Sequence, residues 1–304
     1  MSETKYGLLR KYKKELLTAL VFAYAIFIVF MHSNISHFFV RKHQSPWGEY
    51  SLRPHSVEFS IIALVLIFGY LIFRYIRGAR KTVTLLYLFL YSEFLFFIYS
   101  VLSLHPVEVV HFIHYGILAF LLGSIWDKDR KRFLFVKIMV VLLPLAFIDE
   151  ITFQYFIGVH QKYLDLSDGY FNFIGVILGL LLFYAFEEPK NEYENKKPIF
   201  KTRSFIFFTS IVLTITFFFL VGIIQFSPPE KLSHGPWLID ENHFVIYLER
   251  IPGFIGNFNH HFIHGYYYIP TPFEMLVLTI FTGVIFATYD PRYTERLKAL
   301  FKMK

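Results

Sequence analysis

The stretch Ile148–Gly179, IDEITFQYFIGVHQKYLDLSDGYFNFIGVILG, sets acids, a glutamine, a histidine, a lysine and an asparagine between two apolar runs. Such an insert is either the wet turn of a helical hairpin or a site at the edge of a membrane. The flanks decide what surrounds it. Apolar sequence leads up to Ile148 on one side and continues from Tyr170 on the other, each run close to the length of a bilayer-crossing helix.

The rest of the chain repeats this pattern. Of 304 residues, 55% are hydrophobic and 21% aromatic, with 39 Phe and 21 Tyr, and the mean hydropathy is +0.48. These values lie outside the range of soluble globular domains. Only helices and closed barrels satisfy backbone hydrogen bonds within lipid, and the apolar runs have helical length. The expected fold is therefore all-α: a polytopic integral membrane bundle of about eight transmembrane helices, with both termini cytoplasmic. The runs are Leu16 to Phe30, Val57 to Phe73, Val83 to Leu102, Val107 to Trp126, Phe133 to Ile148, Tyr170 to Phe186, Phe205 to Phe226 and Pro272 to Tyr289. They divide the chain into an N-terminal helix pair with an outer loop (1–81), a four-helix core (82–188) and a C-terminal pair (189–304) with a large loop at 227–269. No small-residue cleavage site follows the first run, which reads as a retained anchor.

The basic residues set the orientation. With the N-terminus inside, only Arg41, Lys42, Arg53, Lys162, Lys231 and Arg250 of the 30 Lys and Arg fall outside. Basic inner turns facing anionic headgroups account for the net charge of +7 without nucleic acid, for which nothing else speaks. The absence of cysteine excludes disulfides, thiol nucleophiles and thiolate metal sites. All 13 histidines fall in outer loops or near outer helix ends. Either the outer interface favours His and Tyr for their amphipathic rings, or ligand chemistry happens on that side.

Individual positions narrow the choice. Glu108, His111 and Tyr115, at i, i+3 and i+7 with His114 beside them, form a polar stripe near the outer end of the fourth run. Asp149 and Glu150 close the fifth run, and the helix is expected to continue toward Gln154. Acids are disfavoured at a helix C-terminus, which calls for a partner among His111, His114, Lys162 or a bound cation. The sixth helix is expected to begin after Asp168, which serves as an N-cap or a ligand group and is four residues before Asn172. Gly175 and Gly179 form a GxxxG pair suited to close helix packing. Glu93, in mid-run, is either a neutral acid donating to a carbonyl or the floor of a polar cavity.

On these residues Val107 to Phe186 resembles the VanZ-like family of small polytopic bacterial membrane proteins. The matching features are His111 and Tyr115 on one helix, then Asp149, Glu150 and Gln154, then Lys162, Asp165, Asp168, Asn172, Gly175 and Gly179. The pattern departs where Glu150 precedes Gln154 by four residues rather than three, and where Lys162 replaces the usual Arg. A lysine does not reproduce bidentate recognition of phosphate or carboxylate. The resemblance implies a bacterial plasma membrane location and an association with resistance to teicoplanin-type glycopeptides. It does not settle a reaction, and it leaves the cofactor unknown.

The loop 227–269 carries His260, His261 and His264, which would bind a divalent metal if they shared a helical face and if Glu241, Glu249 or Glu274 came near. The alternative is an aromatic-rich interfacial helix. Three functions stay open. An envelope enzyme would use His111 as acid or base, Glu150 or Asp168 as general base or metal ligand, and Lys162 on a phosphate. A binding or transport protein would hold an amphiphile, a glycopeptide or a lipid-linked envelope precursor among Glu108, His114, Tyr115, Asp149, Gln154, Lys162, Asp165 and Asn172. A structural subunit would instead join other membrane subunits through its aromatic surface.

Overall fold

The computed structural model describes residues 12–42, 50–52, 54–102, 109–152, 166–188, 203–225, 237–240, 243–247, 258–261, 265–268 and 270–294. Eight long helices run through them: α1 (Lys13–Phe39), α2 (Pro54–Arg77), α3 (Lys81–Val101), α4 (Val109–Trp126), α5 (Phe135–Thr152), α6 (Leu166–Phe183), α7 (Arg203–Leu220) and α8 (Pro272–Ala287). Each corresponds to one expected apolar run, and the protein is predominantly helical. Short strands add to this: an antiparallel pair between α1 and α2 (β1, Val40–Lys42; β2, Tyr50–Leu52), and five strands between α7 and α8. Of these, β3 (Ile224–Gln225), β5 (His243–Tyr247) and β4 (Trp237–Asp240) form one small sheet, and β6 (Phe258–His261) pairs with β7 (Gly265–Tyr268).

Helix α6 is the hub. Phe171, Asn172, Phe173, Ile174, Val176 and Ile177 are all buried, so every side of the helix is covered, as expected for a helix apolar all round. Its closest neighbour is α4, and glycines set the spacing. A Cβ on Gly179 would stand 2.0 Å from the carbonyl oxygen of Gly116, and one on Gly175 would stand 2.8 Å from that of Phe112. Gly175 and Gly179 thus do what a GxxxG pair does, which is to let two backbones touch. α5 and α8 pack on other sides of α6, α1 packs on α4, and α7 packs on α5.

Helix ends gather in one basic layer. Trp126 Nε1 at the end of α4 donates to Thr18 Oγ1 near the start of α1 (3.0 Å). The Leu134 amide before α5 donates to Tyr184 Oη after α6 (2.8 Å). The Tyr289 hydroxyl after α8 donates to the Tyr184 carbonyl (3.0 Å) and meets Thr84 Oγ1 of α3 (3.1 Å). The rings of Phe133, Tyr184, Phe135 and Tyr289 interlock with centroids 4.5 to 6.3 Å apart, in the tilted geometry that aromatic quadrupoles favour.

At the opposite end α8 starts on a capping box. Thr271 Oγ1 accepts from the Glu274 amide (3.2 Å), Glu274 Oε2 accepts from the Thr271 amide (2.8 Å), and Pro272 occupies the first turn. The signature Thr271-Pro-Phe-Glu274 is plain in sequence.

One helix start and one acid differ from expectation. α6 begins at Leu166, so Asp168 lies inside the first turn, where a carboxylate suits the positive end of the helix dipole, and is not the N-cap. Asp165 lies outside the described residues. Glu93 is neither buried against a carbonyl nor at the floor of a cavity: its side chain is exposed on the outward stripe of α3, between Phe89 and Phe96.

The α4–α6 contact yields a test. Gly179→Ala and Gly175→Ala are expected to lower stability by about 1–3 kcal/mol each, since the added methyl meets backbone that cannot rotate away. A Cβ on Gly69 of α2 meets nothing within 4 Å, so Gly69→Ala should leave the melting temperature in detergent unchanged or raise it slightly, alanine being the better helix former.

Candidate functional site

The polar residues near the far end of α4, α5 and α6 meet in one buried network. His111 Nδ1 lies 2.8 Å from Asn172 Oδ1, joining α4 to α6. Asn172 Nδ2 donates to the Ala146 carbonyl of α5 at 3.0 Å. The Tyr115 hydroxyl, one turn below His111 on α4, donates to Asp149 Oδ2 at 2.9 Å and to the Leu145 carbonyl at 3.1 Å. Asn172 is fully buried, and His111, Tyr115 and Asp149 are 3%, 4% and 6% exposed.

The sequence shows why these groups converge. His111 and Tyr115 are four apart, so they share a face of α4. Leu145, Ala146 and Asp149 follow Pro144 within α5; a proline there removes one helical hydrogen bond from this segment. Two carbonyls just past it, those of Leu145 and Ala146, are each gripped by a side chain from a neighbouring helix.

Bond directions fix the chemistry. The Ala146 carbonyl can only accept, so the Asn172 amide nitrogen faces it and Oδ1 faces His111. The proton of the His111–Asn172 bond then sits on Nδ1 of the imidazole. In the neutral ring this makes Nε2 the basic nitrogen, the atom suited to take or give a proton. Asp149, the acid that needed a partner, finds it in the Tyr115 hydroxyl, with His111 near enough to act on it electrostatically. The expected partners had been His111, His114, Lys162 or a cation.

Of the sequence candidates, the structure thus brings together His111, Tyr115, Asp149 and Asn172. His114 is half-buried on the adjoining face of α4, and Asp168 is half-buried a turn before Asn172. Glu108, Gln154, Lys162, Asp165 and His264 lie outside the described residues, as does the side chain of Glu150. His260 and His261 fall on strand β6, not on the helix that the metal reading required. Glu274 is committed to the cap and to Tyr268, whose hydroxyl donates to both of its carboxylate oxygens at 2.8 and 2.9 Å. Among the described residues no group of His, Cys, Asp and Glu is arranged to hold a metal ion.

The basic end holds a second set that the sequence reading treated only as charge. Asp127 is buried, accepting from the Tyr184 hydroxyl (2.9 Å) and the Arg132 amide (3.1 Å). Arg74 pairs with Glu187 and donates to the Ala185 carbonyl. The signal available was the run Trp126-Asp-Lys-Asp-Arg-Lys-Arg132, where acids sit among cations.

The fold and this network define a helical bundle with a polar cluster buried on three of its helices. No protein-family model, no characterised protein and no solved structure matches the chain.

The network makes a quantitative prediction. Tyr115→Phe should cost about 1 kcal/mol, and Asn172→Leu about 1–3 kcal/mol, because the second leaves the Ala146 carbonyl and a His111 nitrogen without their partner. A double-mutant cycle of Tyr115→Phe with Asp149→Asn should show coupling of roughly 0.5–3 kcal/mol. Additive unfolding energies would mean that the two groups do not interact.

Proposed function

We propose that this chain is a polytopic bacterial plasma-membrane protein, VanZ-like in character, whose buried polar network lies at the extracytoplasmic end. There it binds or processes the headgroup of an envelope lipid or other amphiphile, in a role related to glycopeptide resistance. The observation that carries the site is the convergence of His111, Tyr115, Asp149 and Asn172. These come from the three helices on which the family resemblance had marked residues, and three of the four are side chains able to carry or relay a proton.

The membrane setting is supported by the inverted surface. Leu66, Ile76, Leu220 and Phe273 are 67%, 71%, 81% and 71% exposed, while Asp149, Asn172, Asp127 and Asp290 are buried. Soluble monomers do not display apolar area on this scale. Among the described residues two helices are long and apolar enough to cross a membrane by themselves, over Lys13–Met31 and Lys81–Ile98. The shorter apolar helices fit as further spans of the same bundle. Loading of Lys and Arg at one layer of helix ends supports a cytoplasmic placement of that layer.

A second reading, an accessory subunit of a larger membrane complex, is favoured by Glu93. An exposed carboxylate in the middle of an apolar helix face is costly in lipid and is relieved by a neighbouring protein.

The two readings separate in native mass spectrometry of the gently solubilised protein. A lipid or amphiphile retained by the parent and lost in both His111→Gln and Asp149→Asn is the expected result. Equal retention in parent and variants removes the binding reading. A stoichiometric protein partner that is lost in Glu93→Leu would establish the subunit reading in its place.

A further inference from the structure

At the basic end three of four guanidinium groups pair with two acids. Arg74 and Arg130 both reach Glu187 Oε1, with Arg130 Nη1 at 3.4 Å. Arg292 takes Asp290, Nη2 to Oδ2 at 2.5 Å. Arg80 has no carboxylate among its hydrogen-bond partners. Its Nη2 donates to the Tyr289 carbonyl (3.0 Å), and its Cζ stands 5.4 and 5.1 Å from the ring centroids of Phe133 and Tyr289. The third acid, Asp127, is spent on Tyr184 and the Arg132 amide. The junction therefore keeps an excess of positive charge, since exposed Lys81, Lys128, Lys131 and Arg132 outnumber exposed Asp129 and Glu188 beside it.

Two donors in this junction are unspent. Among the described residues Arg80 Nη1 and Arg130 Nε are the buried side-chain nitrogen or oxygen atoms that lack a hydrogen-bond partner. A guanidinium donor buried without an acceptor is costly, and a poorly compensated buried charge is more so. The backbone is held tightly at the same place. Arg80, Arg130, Phe133 and Phe186 have φ of 51°, 55°, 49° and 58° and are the non-glycine residues with positive φ among those described. Left-handed non-glycine residues persist only where the surroundings enforce them, and such residues cluster at ligand clamps. Two of the four are the arginines with donors to spare. The Arg130 side chain keeps 24% exposure, so the guanidinium is reachable from the rim although its Nε is buried.

We infer that this junction binds a phosphate-bearing anion through Arg80 and Arg130. Phosphate supplies several acceptor oxygens and the missing negative charge, and planar guanidinium groups match it in a fixed fork. The source is either the headgroup of an anionic phospholipid or a free phosphate, since both present the same group. The inference does not depend on the network around His111, which lies at the other end of α4 and α6.

The test uses the full chain in neutral detergent and reads its melting temperature. Probes are phosphatidylglycerol against phosphatidylcholine in mixed micelles, and inorganic phosphate against chloride at equal ionic strength. Phosphatidylglycerol alone raising the melting temperature assigns the site to a lipid headgroup; inorganic phosphate raising it as well assigns it to free phosphate. In either case Arg80→Gln and Arg130→Gln are each expected to weaken the apparent affinity about tenfold or more, the usual loss for a charge-assisted hydrogen bond. Lys128→Gln with Lys131→Gln, which removes one charge more than either arginine variant without touching the spare donors, should leave most of the effect. If Arg80→Gln does not fold, Arg80→Lys keeps the charge without the fork and should show the same weakening. The inference is overturned if neither phosphate probe exceeds its control, or if the lysine pair removes the effect as completely as the arginine variants do.

Discussion

The rest of the structure depends on the contact of α4 with α6. Gly116, Gly175 and Gly179 bring two backbones close enough that a single methyl group on Gly179 would lie 2.0 Å from a carbonyl oxygen. At that separation side chains flanking the crossing have no freedom to choose other partners. His111 and Tyr115 precede Gly116 on α4, and Asn172 precedes Gly175 on α6. The small residues therefore draw the polar ones together: without the close crossing, His111 Nδ1 and Asn172 Oδ1 would not stand at 2.8 Å. In an apolar medium lipid tails compete equally for apolar side chains, so packing of this kind and interhelical hydrogen bonds hold helices together.

The two ends of the α4–α6 pair solve different problems. At one end a buried network ties side chains of α4 and α6 to Asp149 and two carbonyls of α5. At the other, charges are crowded: Arg74, Arg130 and Glu187 form a chain, Arg292 and Asp290 a pair, and Arg80 rests on aromatic faces. Cation–π contacts substitute for counterions there, since ring faces attract a desolvated guanidinium. Tyr184 and Tyr289 serve both as those faces, or their neighbours, and as hydrogen-bonding posts that tie α3, α5, α6 and α8 together. That dual use accounts for tyrosines in a layer where phenylalanine would pack equally well.

How much of this the sequence discloses depends on the range of each interaction. The eight helices are legible because apolar length is a local property, and the GxxxG pair is legible because its spacing is. His111, Tyr115, Asp149 and Asn172 stand out as polar residues in apolar runs, but their pairing is not legible. It requires knowing how α4 and α6 cross, and Tyr115 as the partner of Asp149 follows only from that crossing. Asp168 before Gly169 marks a helix start and fits an N-cap or a ligand group, whereas α6 starts earlier, at Leu166. The histidines at 260 and 261 were read with helical periodicity in a segment that forms a strand, where aromatic residues such as Tyr266 to Tyr268 favour extended pairing. The arginine junction is hidden for another reason: basic residues in turns between apolar runs are sufficiently explained as topological markers, and their partners come from other helices.

Burial in this bundle follows position relative to α6 more than hydrophobicity. Asn172 at the hub is fully buried, while Leu66 and Ile76 on α2 are 67% and 71% exposed. A chain folding in water would be driven the other way, because exposing large aliphatic groups forfeits about 1.5–3 kcal/mol for each side chain left in solvent. The arrangement becomes favourable when the surroundings are themselves apolar: then the peripheral aliphatics lose nothing, and the polar groups gain most by turning inward to one another. Glu93 departs from this pattern, since it is a carboxylate on the outward face of α3 among exposed apolar residues, whereas Asp149, Asp127 and Asp290 are turned inward and paired.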